Sequence, residues 1–194
     1  MKVSKTKELL INTARELFAE KGVNNTTMND ISVRSGKGRR TLYVYFKSKE
    51  EVYTAVIEQE LALLINNLEV IVNKDINPER KIIEYIVTRL NTINEIVNRN
   101  GSLRSVFFNN ILEVTKARQK INSYELAFLR RILQEGINKK VFAVDNVEIA
   151  SQMILYALQG IEVPYTRVRI RERLRRNKNG IVRFFLRSLK QSNQ

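Results

Sequence analysis

Along most of this sequence, apolar residues return every three or four positions, and no segment sustains the every-other-residue alternation of a half-buried strand. Among 194 residues there are only 7 glycines and 2 prolines, so helices meet few breaks. These features predict an all-α chain of eight to nine or more helices.

The expected helices can be placed by their apolar stripes and caps. Leu10, Ala14, Leu17 and Phe18 form the first stripe, with Gly22 as its stop. Thr27 with Asp30 reads as an N-cap and N3 carboxylate, opening a short helix that buries Ile31. Gly36 supplies a turn, and a third helix over Gly38 to Phe46 turns Leu42 and Phe46 inward. Ser48 and Glu51 suggest a capping box before the stripe Val52, Val56, Leu61, Leu64, Leu68 and Val72. Asn77–Pro78 starts the next, through Ile82, Ile86, Leu90, Ile93 and Val97, until Asn100–Gly101 breaks it. Helices are then expected from Ser102 to about Lys116 and from Ile121 to about Asn138. Asp145 and Glu148 form another candidate box ahead of Val147, Ala150, Ile154, Ala157, Leu158 and Ile161, with Pro164 ending or kinking that helix. A last stripe holds Ile181, Phe184, Phe185 and Leu189.

Charge is placed unevenly on this frame. Residues 1–49 hold 11 Lys+Arg against 4 Asp+Glu, and residues 164–194 hold 10 against 1, while residues 50–163 hold 13 against 15. Between Ser32 and Lys49 lie Arg34, Lys37, Arg39, Arg40, Lys47 and Lys49 without one carboxylate. Residues 27–46 thus join two short helical patterns through a glycine turn, the second basic and ending in aromatics. A helix-turn-helix of this kind can enter a DNA major groove, with Arg and Lys on phosphates and base edges. The competing reading is a basic, solvated helix face.

Several kinds of chemistry are excluded. There is no cysteine and no histidine, hence no disulfide, thiolate nucleophile, imidazole base or His-held metal. No glycine-rich phosphate loop appears. The chain is expected to be no enzyme and to need neither cofactor nor metal. The start MKVSKTKELL lacks the apolar core of a secretion signal, and no apolar run approaches the ~20 residues of a membrane span, so a cytoplasmic address is expected.

The stretch from Lys7 to Val52 resembles the amino-terminal domain of the TetR family of transcription regulators. The likeness is carried by Ala14–Arg15–Glu16–Leu17–Phe18, Gly22, Thr27, Asp30–Ile31, Gly36, Thr41–Leu42–Tyr43, Tyr45–Phe46 and Ser48–Lys49–Glu50. It implies a three-helix DNA-binding domain over residues 4–64, with its helix-turn-helix at 27–46. A larger helical effector-binding and dimerisation domain would follow over 65–194. The function implied is a dimeric, sequence-specific regulator, a repressor released by a small molecule, acting on double-stranded DNA with a pseudo-palindromic operator.

By the same resemblance Thr27 would cap the second helix and bind phosphate. Arg39 and Arg40 would reach base edges, Thr41, Tyr43 and Tyr45 would touch phosphates or thymine methyls, and Lys49 would clamp the DNA backbone. Tyr43 could equally pack under the domain. Lys37 and Gly38 stand where such sequences have a small apolar residue and a cap, and Arg40 stands where they often have Gly or Ala. The substitutions add cations and point to an altered operator preference.

The resemblance further implies a four-helix dimer interface, for which Ile154, Leu158, Ile161, Phe184, Phe185 and Leu189 are candidates. The alternative is that these residues close the protomer core. Gly160 within that pattern would be explained by close helix approach. Leu64, Tyr85, Phe107, Phe108, Leu112 and Phe128 are candidates for an effector pocket, although aromatics at helical spacing also build cores. A different function class remains open: a basic membrane-surface or interaction protein acting through residues 167–190, where the Arg-rich segment 167–176 lies.

Overall fold

The computed structural model describes residues 4–100, 112–166, 172 and 178–190. Among these there is no strand. The helices are α1 (Lys5–Lys21), α2 (Met28–Arg34), α3 (Arg39–Tyr45), α4 (Lys49–Val72), α5 (Pro78–Arg99), α6 (Leu112–Asn138), α7 (Val147–Thr166) and α8 (Lys178–Leu189). They form two compact units, one of Met1–Ala62 with Glu95–Arg118, the other of Leu63–Asn94 with Gln119–Gln194. Both α4 and α5 therefore contribute residues to each unit.

In the first unit the predicted stripes meet. Leu10, Ala14, Leu17 and Phe18 of α1 are buried with Ile31 of α2, Leu42 of α3 and Val52 and Val56 of α4. Each fully buried Leu, Ile or Phe contributes roughly 1.5–3 kcal/mol relative to exposure. Phe18 meets Tyr53 edge to face, with centroids 6.0 Å apart. Gly22 ends α1 at φ 84°. Beside it the buried Thr26 hydroxyl donates to the Gly22 carbonyl at 2.8 Å, which occupies one of the acceptors left at the helix end. Glu60 of α4 is buried too, paired with Arg99 of α5 and 3.8 Å from Arg15 of α1.

The second unit has its own core. It includes Leu64 and Leu68 of α4, Ile82 and Ile86 of α5, Leu129, Ile132 and Leu133 of α6, Leu155 and Leu158 of α7, and Val182, Phe185 and Leu189 of α8. A buried ion pair crosses it. Arg89 Nε donates to Glu125 Oε1 at 2.6 Å, and the Tyr85 hydroxyl donates to the same oxygen at 3.1 Å. Burial pushes the Tyr85 phenol well above its usual range, with the Glu125 charge adding to the effect, so it remains a donor.

Local signals behaved unequally. The Asn77 side chain caps α5 by accepting from the Glu79 N–H at 2.8 Å, as the Asn–Pro pair predicts. At α4, Ser48 accepts from the Glu51 N–H at 3.3 Å, but the Glu51 carboxylate accepts from Lys47 rather than closing the box on Ser48. At α7 the cap is Asn146, which accepts from the Ile149 N–H at 3.0 Å. The expected Asp145–Glu148 box does not form, because Glu148 pairs with Arg130 instead. One helix, α6, runs unbroken through residues 117–120, where two helices were expected, since no glycine or proline interrupts it there. The proposed start at Ser102 lies outside the described residues. Helical backbone also continues past Pro164 to Thr166.

Candidate nucleic-acid interface

The turn between α2 and α3 is built from backbone geometry and two small side chains, Ser32 and Ser35, the latter donating to the Ser32 carbonyl at 3.0 Å. Gly36 sits at φ 64°, a left-handed conformation that costs glycine little. The Lys37 N–H donates to the Ser32 carbonyl at 3.2 Å, and the buried Ser32 hydroxyl donates to the Lys37 carbonyl at 2.7 Å. This reciprocal clasp holds the turn where the sequence has Lys37 in place of an apolar anchor. Ser32 was not singled out from the sequence, because a serine inside a helical pattern ordinarily signals nothing.

Before the turn, Thr27 and Asp30 form a complete capping box. The Asp30 N–H donates to the Thr27 hydroxyl oxygen at 3.1 Å, and the Thr27 N–H donates to Asp30 at 2.9 Å. The bond from the Thr27 backbone, with its hydroxyl, holds the Asp30 carboxyl below its ordinary value. Thr27 is exposed at the start of α2.

After the turn, α3 presents a distinct outer face. Leu42 and Phe46 are buried, fixing the helix rotation. Arg39, Arg40, Tyr43 and Val44 are exposed, the last three at i, i+3 and i+4, and Thr41 and Tyr45 are half-buried at its flank. Tyr43 is 51% exposed and Val44 75%, so Tyr43 does not pack under the domain. Val44 was missed because an apolar residue in a helix is read as core by default. The Tyr45 hydroxyl is 3.0 Å from Ser4 Oγ.

The cations of this segment separate into distinct environments. Arg34 is neutralised by Glu20 of α1 through two bonds of 2.8 and 3.1 Å. Lys49, expected to clamp a DNA phosphate, donates instead to the Val23 carbonyl at 2.8 Å, tying α4 to the loop after α1. Arg39 donates through Nε and Nη2 to Asn29 Oδ1 at 2.9 and 2.7 Å, a neutral partner that leaves its charge uncompensated. Arg40 makes no hydrogen bond or ion pair among the described residues, and Lys37 is half-buried.

These residues align with a known domain. Residues 10–56 match the family described as "Bacterial regulatory proteins, tetR family". Over nearly the full length, the chain superposes on a transcriptional regulator from Cytophaga hutchinsonii with a TM-score of 0.80 and 27% identity, covering 95% of this chain and 98% of that one. The amino-terminal segment is thus similar to the TetR family, and the whole chain shares the fold of a transcriptional regulator.

Among curated TetR-like relatives, the fatty acid metabolism regulator protein of Bacillus subtilis is 26% identical over 75% of each chain. The uncharacterized HTH-type transcriptional regulator YvaF of Bacillus subtilis is 32% identical over 42% of this chain, and the match spans 43% of that relative's length.

The remaining candidate residues fall elsewhere. Of the six proposed for the dimer interface, Ile154, Leu158, Phe185 and Leu189 are buried inside the protomer. Ile161 is half-buried and Phe184 is 68% exposed. Among the described residues, the large apolar ones that face outward on α7 are Ile149, Met153 and Tyr156. A shallow hollow lined by Gly180, Arg183, Phe184, Arg187 and Ser188 lies on α8. Gly160 is exposed, and a side chain there would touch nothing among the described residues, so no close approach among them explains it.

Of the pocket candidates, Leu64 and Tyr85 are buried in the second core, and Phe128 is half-buried on α6. Phe107 and Phe108 lie outside the described residues, as does the side chain of Leu112. The Arg-rich segment 167–176 is likewise outside them apart from residue 172. Among the described residues, no helix is long and apolar enough to cross a membrane, and no cluster of acidic side chains could hold a metal.

Proposed function

We propose that this chain is a homodimeric, sequence-specific DNA-binding transcription regulator, a repressor released by a small-molecule effector. The observation that carries the reading is the outer face of α3. Two arginines with uncompensated charge lie beside Tyr43 and Val44, on a helix whose rotation is fixed by Leu42 and Phe46. In the docked arrangement Arg39 and Arg40 reach base edges or phosphates. Tyr43 and Val44 meet phosphate and thymine methyl, and Thr27 donates its hydroxyl to a phosphate at the groove edge. Lys37, Thr41 and Tyr45 flank the contact.

One α3 reads only a few base pairs, so a twofold dimer with recognition helices roughly 34–36 Å apart gives the reading its specificity. The exposed apolar residues Ile149, Met153 and Tyr156 of α7 and Phe184 of α8 fit the pairing surface. An effector acts by favouring a dimer geometry that no longer fits two half-sites.

Selection of bound duplexes from genomic fragments tests the proposal. A pseudo-palindrome should emerge, bound with log affinity that falls steeply against log salt. Arg39→Ala with Arg40→Ala should weaken that binding. Unchanged affinity would remove α3 from the interface, and selection of random sequence would remove the regulator reading itself.

A further inference from the structure

We propose that Asn29 of α2 is a positioning residue that turns Arg39 into a base reader, while Arg40 supplies affinity without sequence preference. This assignment rests on the DNA-binding reading above and divides that work between two adjacent arginines.

Neither arginine serves the helix it begins. The amino end of a helix carries partial positive charge and favours carboxylates, yet the first turn of α3 has no acidic residue and opens on Arg39 and Arg40. Gly38 before them contributes no side-chain cap. The positions are therefore occupied at a local disadvantage, which an external anion can offset.

The three arginines around the turn are treated differently by their neighbours. Arg34 meets a carboxylate, Glu20, and loses its field. Arg40 has no partner among the described residues, so its guanidinium can settle on any phosphate within reach. Arg39 meets an amide. Asn29 Oδ1 takes both the Nε and the Nη2 proton on one edge of the guanidinium, which fixes the plane and leaves the charge intact. The Nη1 protons and the second Nη2 proton then form the outward edge. That edge is a two-pronged donor with the spacing that guanine O6 and N7 accept.

Because arginine only donates, the atom of Asn29 that faces it must be the oxygen. The Nδ2 group consequently lies on the far side, with two further donors beside the arginine fork. A carboxylate at residue 29 would orient Arg39 equally well but would cancel its charge, as Glu20 does for Arg34. An amide orients without neutralising.

The test uses the full-length protein and a duplex selected from a random pool by the wild type. Every base pair of one half-site is then replaced in turn, and binding is measured for wild type, Asn29→Ala, Asn29→Asp, Arg39→Ala and Arg40→Ala. Arg39→Ala locates the base pair that Arg39 reads, expected to be a G·C pair. At that pair alone, Asn29→Ala should cut the mismatch penalty from roughly tenfold or more to about twofold, with penalties elsewhere retained. Asn29→Asp should keep the preference at that pair while weakening binding to every duplex, since the added carboxylate cancels a positive charge beside the DNA. Arg40→Ala should weaken binding evenly across all duplexes and flatten the log–log salt slope by about 0.9 per half-site.

If Asn29→Ala leaves the penalty at the Arg39 pair untouched, or lowers all penalties alike, the positioning role is wrong even though the regulator reading stands. A wild type that selects no sequence overturns both. Thermal melts by circular dichroism accompany each variant, and Asn29→Asp, which keeps the bond to Arg39, decides the matter should the alanine variant fold poorly.

Discussion

Two glycines in this chain answer to different constraints. At Gly36 there is open space where a side chain would sit, and only the backbone, at φ 64°, favours glycine. At Gly136 the backbone is ordinary, but an added Cβ would lie 1.9 Å from the Phe142 ring. Gly136→Ala should therefore destabilise by about 1–3 kcal/mol through overpacking, read as a lower urea midpoint, and a smaller residue at 142 should restore part of it. Asp30 adds a pH signature. Its carboxyl is depressed in the fold by the Thr27 backbone and side-chain bonds, so its contribution is complete above the unfolded carboxylate value and is lost as pH falls through the folded one. Asp30→Asn should remove that part of the acid-side slope in a pH series of melting temperatures.

Whole helices show which kinds of signal a sequence carries. Stripes on α1, α4 and α5 could be read because each is local, and their residues are buried as the spacing requires. Ends were harder. Asp145 and Asn146 are both competent caps; the helix starts on Asn146, and Glu148 is engaged by Arg130, a residue 18 positions away. On α8 the buried line is Val182, Phe185 and Leu189, a slight rotation from the expected one that turns Phe184 outward. At the interface, the charges were visible but their partners were not: Glu20 lies 14 residues from Arg34, and Val23 lies 26 from Lys49. The uncapped start of α3 gives an element-level prediction. Gly38→Ser should stabilise the first unit by a few tenths of a kcal/mol, about the difference between Ser and Gly as caps, detected by chemical denaturation. Breaking the buried Arg89–Glu125 pair with Arg89→Met should cost about 3–5 kcal/mol, whereas replacing both partners with apolar residues should recover much of it.

For the molecule as a whole, the outward apolar set on α7 and α8 bears on assembly. Met153→Glu combined with Phe184→Glu should shift the sedimentation of a dimer towards one protomer and weaken operator binding, with the melting temperature of the protomer core largely kept. The route of the chain has a consequence of another sort. The amino-terminal unit takes in the last turns of α5, and Arg99 there answers the buried Glu60. A fragment ended at residue 62 would retain every motif that identifies a DNA-binding head, yet it would lose Arg99 and the rest of the unit that lies beyond α4, leaving Glu60 with only the 3.8 Å contact to Arg15. Such a fragment should be a poor stand-alone module; for this protein, the smallest piece worth expressing is longer than the smallest piece that can be recognised.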